Sequence, residues 1–364
     1  MKILIVFEIY FVPCKPLRSL KTVLPARSTH EQYQNNTMMI STFAKRLLPA
    51  LLASAFACSA QAAITTIDLG AAAGYSAFFY SNVSQVVDVE GRLAVGGSLD
   101  TSGLSVGYRT PYGVTGPSLV VAKDVKLVNG DIFTGPATNV NTNATIGPIT
   151  EYTKQAGYGV FGGNKTGSSG YHNLQQQANV IDFGAAKTQL SKLSSDLSHE
   201  ASNGTVEAKW GGLYLTGDNS SDLQIFNINS SQLSNLYLQD IKVGASVVIN
   251  VTGGGTVTFA GGQDGQLQAL RDRVLWNLTD ATTVDMATFA YGTVLANNAN
   301  LIGTGHLEGN IIANSMSARV EIGYEPFQRF GPAPVPEPET YGMLLGGLAL
   351  MGVVARRRKA AGGA

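Results

Sequence analysis

Cysteine is almost missing from this chain of 364 residues: Cys14 and Cys58 are the only two. Both lie ahead of residue 63, in segments expected to be absent from the mature protein. The body is therefore expected to hold no disulfide, no Cys-ligated zinc and no thiol nucleophile. Charge is scarce too, at 14% of residues where about 25% is usual. Across 63–334 there are 14 Lys/Arg against 21 Asp/Glu, and an acidic body is a poor phosphate ligand, which argues against nucleic acid as a partner. What the chain has in surplus is glycine, 42 residues, a composition that suits a β protein with many tight turns.

The basic residues that the body lacks sit beside two apolar segments, where membrane topology signals need them. Residues 39–62 read MISTFAKRLLPALLASAFACSAQA. Lys45 and Arg46 precede an apolar run at 47–57, too short to span a bilayer comfortably, which ends at the small-x-small site Ala60-Gln61-Ala62. This is the pattern of a signal peptide over 38–62, cut by signal peptidase after Ala62. Residues 1–37 do not fit ahead of such a signal and are expected to reflect a start assigned too early, the true one being Met38 or Met39. Cys58 could serve as a lipid-modified cysteine, but Ala55 stands where a Leu is usual.

The far end has three parts in order: Pro336-Glu337-Pro338 within a Pro-rich linker at 331–340, an apolar stretch at 341–355, and Arg356-Arg357-Arg358-Lys359 opening a basic tail at 356–364. The prolines keep the first part extended. The apolar stretch predicts a short transmembrane helix loosened by Gly342, Gly346, Gly347 and Gly352, and the basic cluster would remain cytoplasmic. The arrangement resembles the PEP-CTERM sorting signal. That resemblance implies a Gram-negative bacterium making an extracellular polysaccharide matrix, transient membrane anchoring, and processing by an exosortase near Pro336, Glu337 and Pro338. A plain C-terminal anchor would also place the body outside the cytoplasm.

The body, 63–330, consists of short Val/Ile/Leu/Thr-rich runs, such as 91–95, 118–122, 246–251 and 256–259, separated by Gly, Asn and Asp. These predict strands with turns between them. Gly292-Thr293-Val294-Leu295-Ala296-Asn297 recurs 17 residues later as Gly309-Asn310-Ile311-Ile312-Ala313-Asn314, with extended pieces expected at 300–303 and 305–309 between them. Such a period fits one coil of a parallel β-solenoid; a β-sandwich of regular hairpins is the alternative. Phe183, Ala186, Leu190, Leu193 and Leu197 recur at helical spacing, which predicts an amphipathic helix within 182–200, N-capped by Asp182 and laid on the flank of the β structure.

The stretch Val89-Glu90-Gly91-Arg92-Leu93-Ala94-Val95-Gly96-Gly97, that helix, Trp276-Asn277-Leu278 with Ala281-Thr282, and the closing runs at 292–296, 309–313 and 321–327 together resemble the choice-of-anchor A domain family. The resemblance implies a bacterial surface protein with an adhesive β-solenoid akin to ice-binding proteins, and no catalytic residues.

Several local patterns carry possible chemistry. Residues 159–166, GVFGGNKT, approach a phosphate loop, but Asn164 stands where Gly is required. His306 and Glu308 share one strand face and could bind metal or move a proton, with no third partner visible in the spacing. Asp218-Asn219-Ser220-Ser221-Asp222 offers calcium-type oxygens without a calcium loop's spacing. Asp264, Asp272 and Asp285, with Arg271 and Arg273, are the carboxylates and partners that a polysaccharide-cleaving β-helix would use. Ice binding would need a flat Thr row, whereas the repeat offers Asn297 and Asn314. The expectation is an exported, non-enzymatic adhesin or structural binding module at the cell surface or in the matrix. It would need no metal or other cofactor, and its ligand would be extracellular polysaccharide or another cell surface.

Overall fold

The structure is a computed structural model that describes residues 64–110, 114–136, 154–167 and 173–331. The segment expected to be a signal peptide, 38–62, and the expected sorting signal from Val335 onward lie outside them. Among the described residues no helix is long and apolar enough to cross a membrane, and the stretch at 341–355 is not one of these.

The body is a three-sided parallel β-solenoid. A sandwich of hairpins would give antiparallel ladders, but those here are parallel except where Thr205–Lys209 pairs Gly212–Thr216 and where Val125–Pro136 pairs Lys154–Ala156. The 17-residue repeat forms adjacent rungs, with Val294, Leu295 and Ala296 level with Ile311, Ile312 and Ala313. Residues 300–303, expected as a separate piece, continue a single strand, Thr293–Gly303, whose register shifts between Ala296 and Asn300 as it turns from the first face to the second.

The first face stacks Leu223–Asn229, Ser246–Thr252, Val274–Asn277, Thr293–Gly303 and Ile311–Ser317, then Ala77–Phe79, Leu93–Val95, Leu119–Val121, Gly159–Phe161 and Leu174–Gln176. The order is not that of the chain. The chain enters mid-solenoid at Ala77, winds outward to Gln176, crosses as a helix, re-enters at the opposite end and winds back. The last coil then pairs with the first, Ala77 level with Ile311.

That crossing helix, α1 (Phe183–Ser198), starts where expected: the Asp182 side chain accepts from Ala185 N at 2.9 Å. It explains why first-face runs such as Leu93-Ala94-Val95 and Val247-Val248-Ile249 are apolar at successive positions. Their inward residues, such as Leu93, Val95, Val247, Ile249 and Trp276, fill the solenoid core. Their outward residues, Phe78, Ala94, Ile225, Val248, Leu275, Leu295 and Ile312, are buried with Ala186, Leu190 and Leu197 of α1. Each large side chain so buried contributes roughly 1.5–3 kcal/mol.

A row of asparagines fixes the helix in register. Asn227, Asn250, Asn277 and Asn297 donate from Nδ2 to the carbonyls of Glu200, Leu197, Ser194 and Leu190, at 3.0, 2.8, 2.8 and 3.0 Å. Asn250 also donates to Asn227 Oδ1, and Asn277 to Asn250 Oδ1, each at 2.8 Å. Strands lie about 4.8 Å apart and a helix rises about 1.5 Å per residue, so carbonyls three or four residues apart meet successive rungs. Asn297 is therefore a helix-docking residue. Its presence in the repeat says nothing about an exposed array.

Candidate functional site

With much of the first face covered by α1 and by Ile67, Leu69 and Ala72, the second and third faces are the main surfaces that the solenoid presents. On the second face two polar rows run across the rungs. One is Thr256, Thr283, Asn300 and Ser315; the other includes Thr258, Asp285, Ile302, Ser84, Asp100, Lys126 and Thr166. Neighbours bind one another, Ser315 Oγ donating to Asn300 Oδ1 at 2.9 Å and Lys126 Nζ to Asp100 Oδ2 at 3.1 Å. A shallow groove of about 700 Å³ lies over Ser84, Asp100, Lys126 and Arg319. Mixed in charge and side-chain length, these rows are not a flat threonine array.

The third face is chemically richer. At one end Thr205–Lys209 and Gly212–Thr216 form a hairpin whose two turn residues, Trp210 and Gly211, both have positive φ, 50° and 77°. This is the turn that matches strand twist and favours glycine at its second position. It lifts Trp210 out of the sheet, 84% exposed. Tyr214 sits edge-on to Trp210 at 5.5 Å and stacks on Tyr237 of the next rung at 4.5 Å. Lys209 Nζ lies 4.9 and 4.7 Å from the Trp210 and Tyr214 ring centroids.

One rung further, Gln263 bridges Leu236, and a groove of about 390 Å³ opens. Its floor is Ala260, Gly261 and Gly262; Gln263, Thr288, Phe289 and Tyr291 line the rest. Phe289 is stacked at 4.7 Å and 7° on His306, which follows it on the next strand.

His306 Nε2 is 3.1 Å from Glu308 Oε1, and its Nδ1 is 3.1 Å from Glu321 Oε2. Glu321 is the third partner that spacing within the strand could not reveal; it comes from the adjacent strand Glu321–Ile322. Burial alone would lower the His306 pKa, but the two carboxylates outweigh it and the pKa is raised. The bond from His306 lowers that of Glu308. Arg109 reaches Glu90 and lies 3.8 Å from Glu308, while Tyr108 donates to Asp88 and Glu90 at 3.1 and 3.2 Å. Every acid at this centre faces a cation or a donor, and among the described residues no group of His, Cys, Asp and Glu is placed to hold a metal.

The remaining sequence candidates fall apart in space. Asp264 caps the short helix α2 (Gly265–Ala269), accepting from Leu267 N; Asp272 accepts from Gln328 Nε2; Asp285 stands on the second face. Arg271 pairs with Glu325 at 2.6 Å, and Arg273 donates to the Gly244 carbonyl at 3.1 Å. Asp218 takes bonds from Ser220 N and from both Ser221 N and Oγ, which hold its carboxyl below the usual carboxylate range; that is turn chemistry. Residues 159–166 supply two short strands, Gly159–Phe161 and Lys165–Thr166, and a turn in which Asp124 Oδ1 accepts from Asn164 N at 2.8 Å.

The family described as "Putative Ice-binding-like adhesive domain" matches residues 68–324, the whole solenoid with its helix. The chain belongs to that family. The adhesive domain is followed at 334–359 by a match to the PEP-CTERM protein-sorting motif, which implies export and surface sorting in a Gram-negative bacterium with processing by an exosortase. Two solved ice-binding proteins resemble the domain loosely. One, from an Antarctic biological consortium, is 14% identical over 71% of this chain and 90% of its own, with TM-score 0.27. The other, from the Antarctic ascomycete Antarctomyces psychrotrophicus, is 12% identical over 72% and 99%, with TM-score 0.24. No curated protein matches the chain.

Proposed function

We propose that this protein is a surface or matrix adhesin, a binder rather than an enzyme, whose third solenoid face holds extracellular polysaccharide or another cell surface. The observation that carries this reading is the third face itself: aromatic and polar side chains at strand spacing, Trp210 and Phe289 exposed and Tyr214, Tyr237 and Tyr291 half-buried, on a rigid, helix-braced body. Solenoids present such extended surfaces without rearrangement, and a preordered surface loses little entropy on binding. The resemblance to the choice-of-anchor A family, whose members pair one domain with various anchors, supports the same reading.

The test is in the native host. Intact mass and N-terminal sequence of the protein from envelope, matrix and medium fractions should show a start at Ala63 and loss of the tail near Pro336. Deleting the chain should reduce cell–cell or cell–matrix adhesion. A protein that starts at Met1, stays cytoplasmic, and whose deletion leaves adhesion unchanged would sink the proposal.

A further inference from the structure

We infer that the glycine-floored groove beside Phe289 is a subsite for one neutral pyranose unit of a linear polysaccharide, which runs along the solenoid axis toward Tyr237, Tyr214 and Trp210. The inference rests on the adhesin reading and names its ligand class.

Four features point to a sugar. The groove, about 390 Å³, falls within the size range of small-molecule sites, roughly 300–1,000 Å³. Its wall is aromatic: Phe289 is 38% exposed and one face of its ring is held by the stack on His306, and an aromatic face suits the apolar C–H face of a pyranose. Its polar groups are few and oriented. Gln263 Oε1 is taken by Tyr291 N at 2.8 Å, which leaves the amide donors to the groove, and the Thr288 hydroxyl donates to Phe259 O at 3.2 Å, leaving its oxygen to accept. No charged residue lines it, so a carboxylated or sulfated sugar would find no partner there.

The direction follows from the ladder. Gln263 is one rung from Leu236 and therefore from the strand of Tyr237, and Tyr237 stacks on Tyr214 beside the Trp210 turn. Rungs lie about 4.8 Å apart, close to the length of one sugar in an extended chain, so successive units meet successive rungs.

Titration of the exported protein with cellohexaose, laminarihexaose and an alginate hexasaccharide tests this. At least one neutral oligosaccharide should bind. Phe289→Ala and Gly262→Leu should each weaken it by about tenfold or more, with Thr283→Ala on the second face unchanged. A Cβ at Gly262 meets only Asn235 Oδ1 at 3.5 Å, so the leucine fills the groove without forcing the backbone. Groove variants that bind as wild type, preference for the acidic oligomer, or no neutral binding at all would each overturn the inference. Retention of the same variants in the host matrix separates the two claims. If variants and wild type are retained alike, the groove assignment fails and the adhesin reading stands. If groove-dependent sugar binding occurs without matrix retention of the wild type, the reverse holds.

Discussion

Replacing Asn277 with alanine tests whether the asparagine row holds α1 to the solenoid. Asn277 is fully buried. It donates to the Ser194 carbonyl and to Asn250 Oδ1, and accepts from Ser194 Oγ at 2.5 Å. Its removal orphans Asn250 Oδ1 and deprives Ser194 Oγ of its close acceptor. Two such buried groups at about 1–3 kcal/mol each give a loss of about 2–6 kcal/mol. The side chain of half-buried Asn314 accepts from Lys187 Nζ at 3.2 Å, a bond outside the buried row, so Asn314→Ala should lose about 1 kcal/mol or less. Urea unfolding midpoints at unchanged m-value would read the difference, and hydrogen exchange in α1 would locate it. Ser194→Ala combined with Asn277→Ala should recover part of the loss, with a coupling of about 0.5–3 kcal/mol. Equal effects at Asn277 and Asn314, or full additivity in the double variant, would refute the clamp.

Phe78→Ala, at a fully buried site between the first face and the helix, should cost about 3–5 kcal/mol, read as a fall in urea midpoint. At Gly309 an added Cβ would stand 1.9 Å from the Gly292 carbonyl oxygen, so Gly309→Ala should destabilise by about 1–3 kcal/mol. At Gly265, where nothing lies within 4 Å, Ala should be neutral or slightly stabilising; a thermal melt of both variants checks the contrast. The raised pKa of His306 means that its ionic contribution is fully present below its unfolded value of about 6.5 and is lost as pH rises through the folded pKa. The lowered pKa of Glu308 means that its contribution is lost as pH falls through the folded value. NMR titration of His306 should show the raised pKa in wild type and a lower one in Glu321→Gln; no difference between the two would remove Glu321 from the account.

Local elements were legible in the sequence, and the way they meet was not. The Asp182 cap and the leucine spacing gave α1 almost to the residue, because capping and periodicity are local. The 17-residue repeat gave one coil, because stacked rungs repeat their inward and outward chemistry. Leu93-Ala94-Val95 and Val247-Val248-Ile249 carried a further signal: strands apolar at every position are covered on both sides, so the helix-covered face could have been read there. Asn297 and Asn314 were harder, since a polar residue in a strand looks exposed until its helical partner is known. The groove's aromatic wall and the His306 centre draw on segments from Glu90 to Glu321, and no spacing within one strand brings those together.

The chain order of the first face also bears on how an exported protein reaches this fold. Each coil stacks on its sequence neighbour except where Ala77–Phe79 meets Ile311–Ser317, a pairing that spans almost the whole domain. Adjacent-coil contacts are local and can form as the chain emerges, whereas closing that long loop carries an entropic cost that only the final coil can offset. The two half-solenoids would each expose an open parallel edge until they meet, and an open edge is a template for pairing with another chain. The helix that joins the two outer ends spans both halves, with Phe78 and Ile312 from the meeting coils in the same buried cluster as Leu190 and Leu197. Closure therefore buries the mid-solenoid edges and seats the helix together, which makes the Ala77–Ile311 rung the step at which the separate coils become one cooperative body.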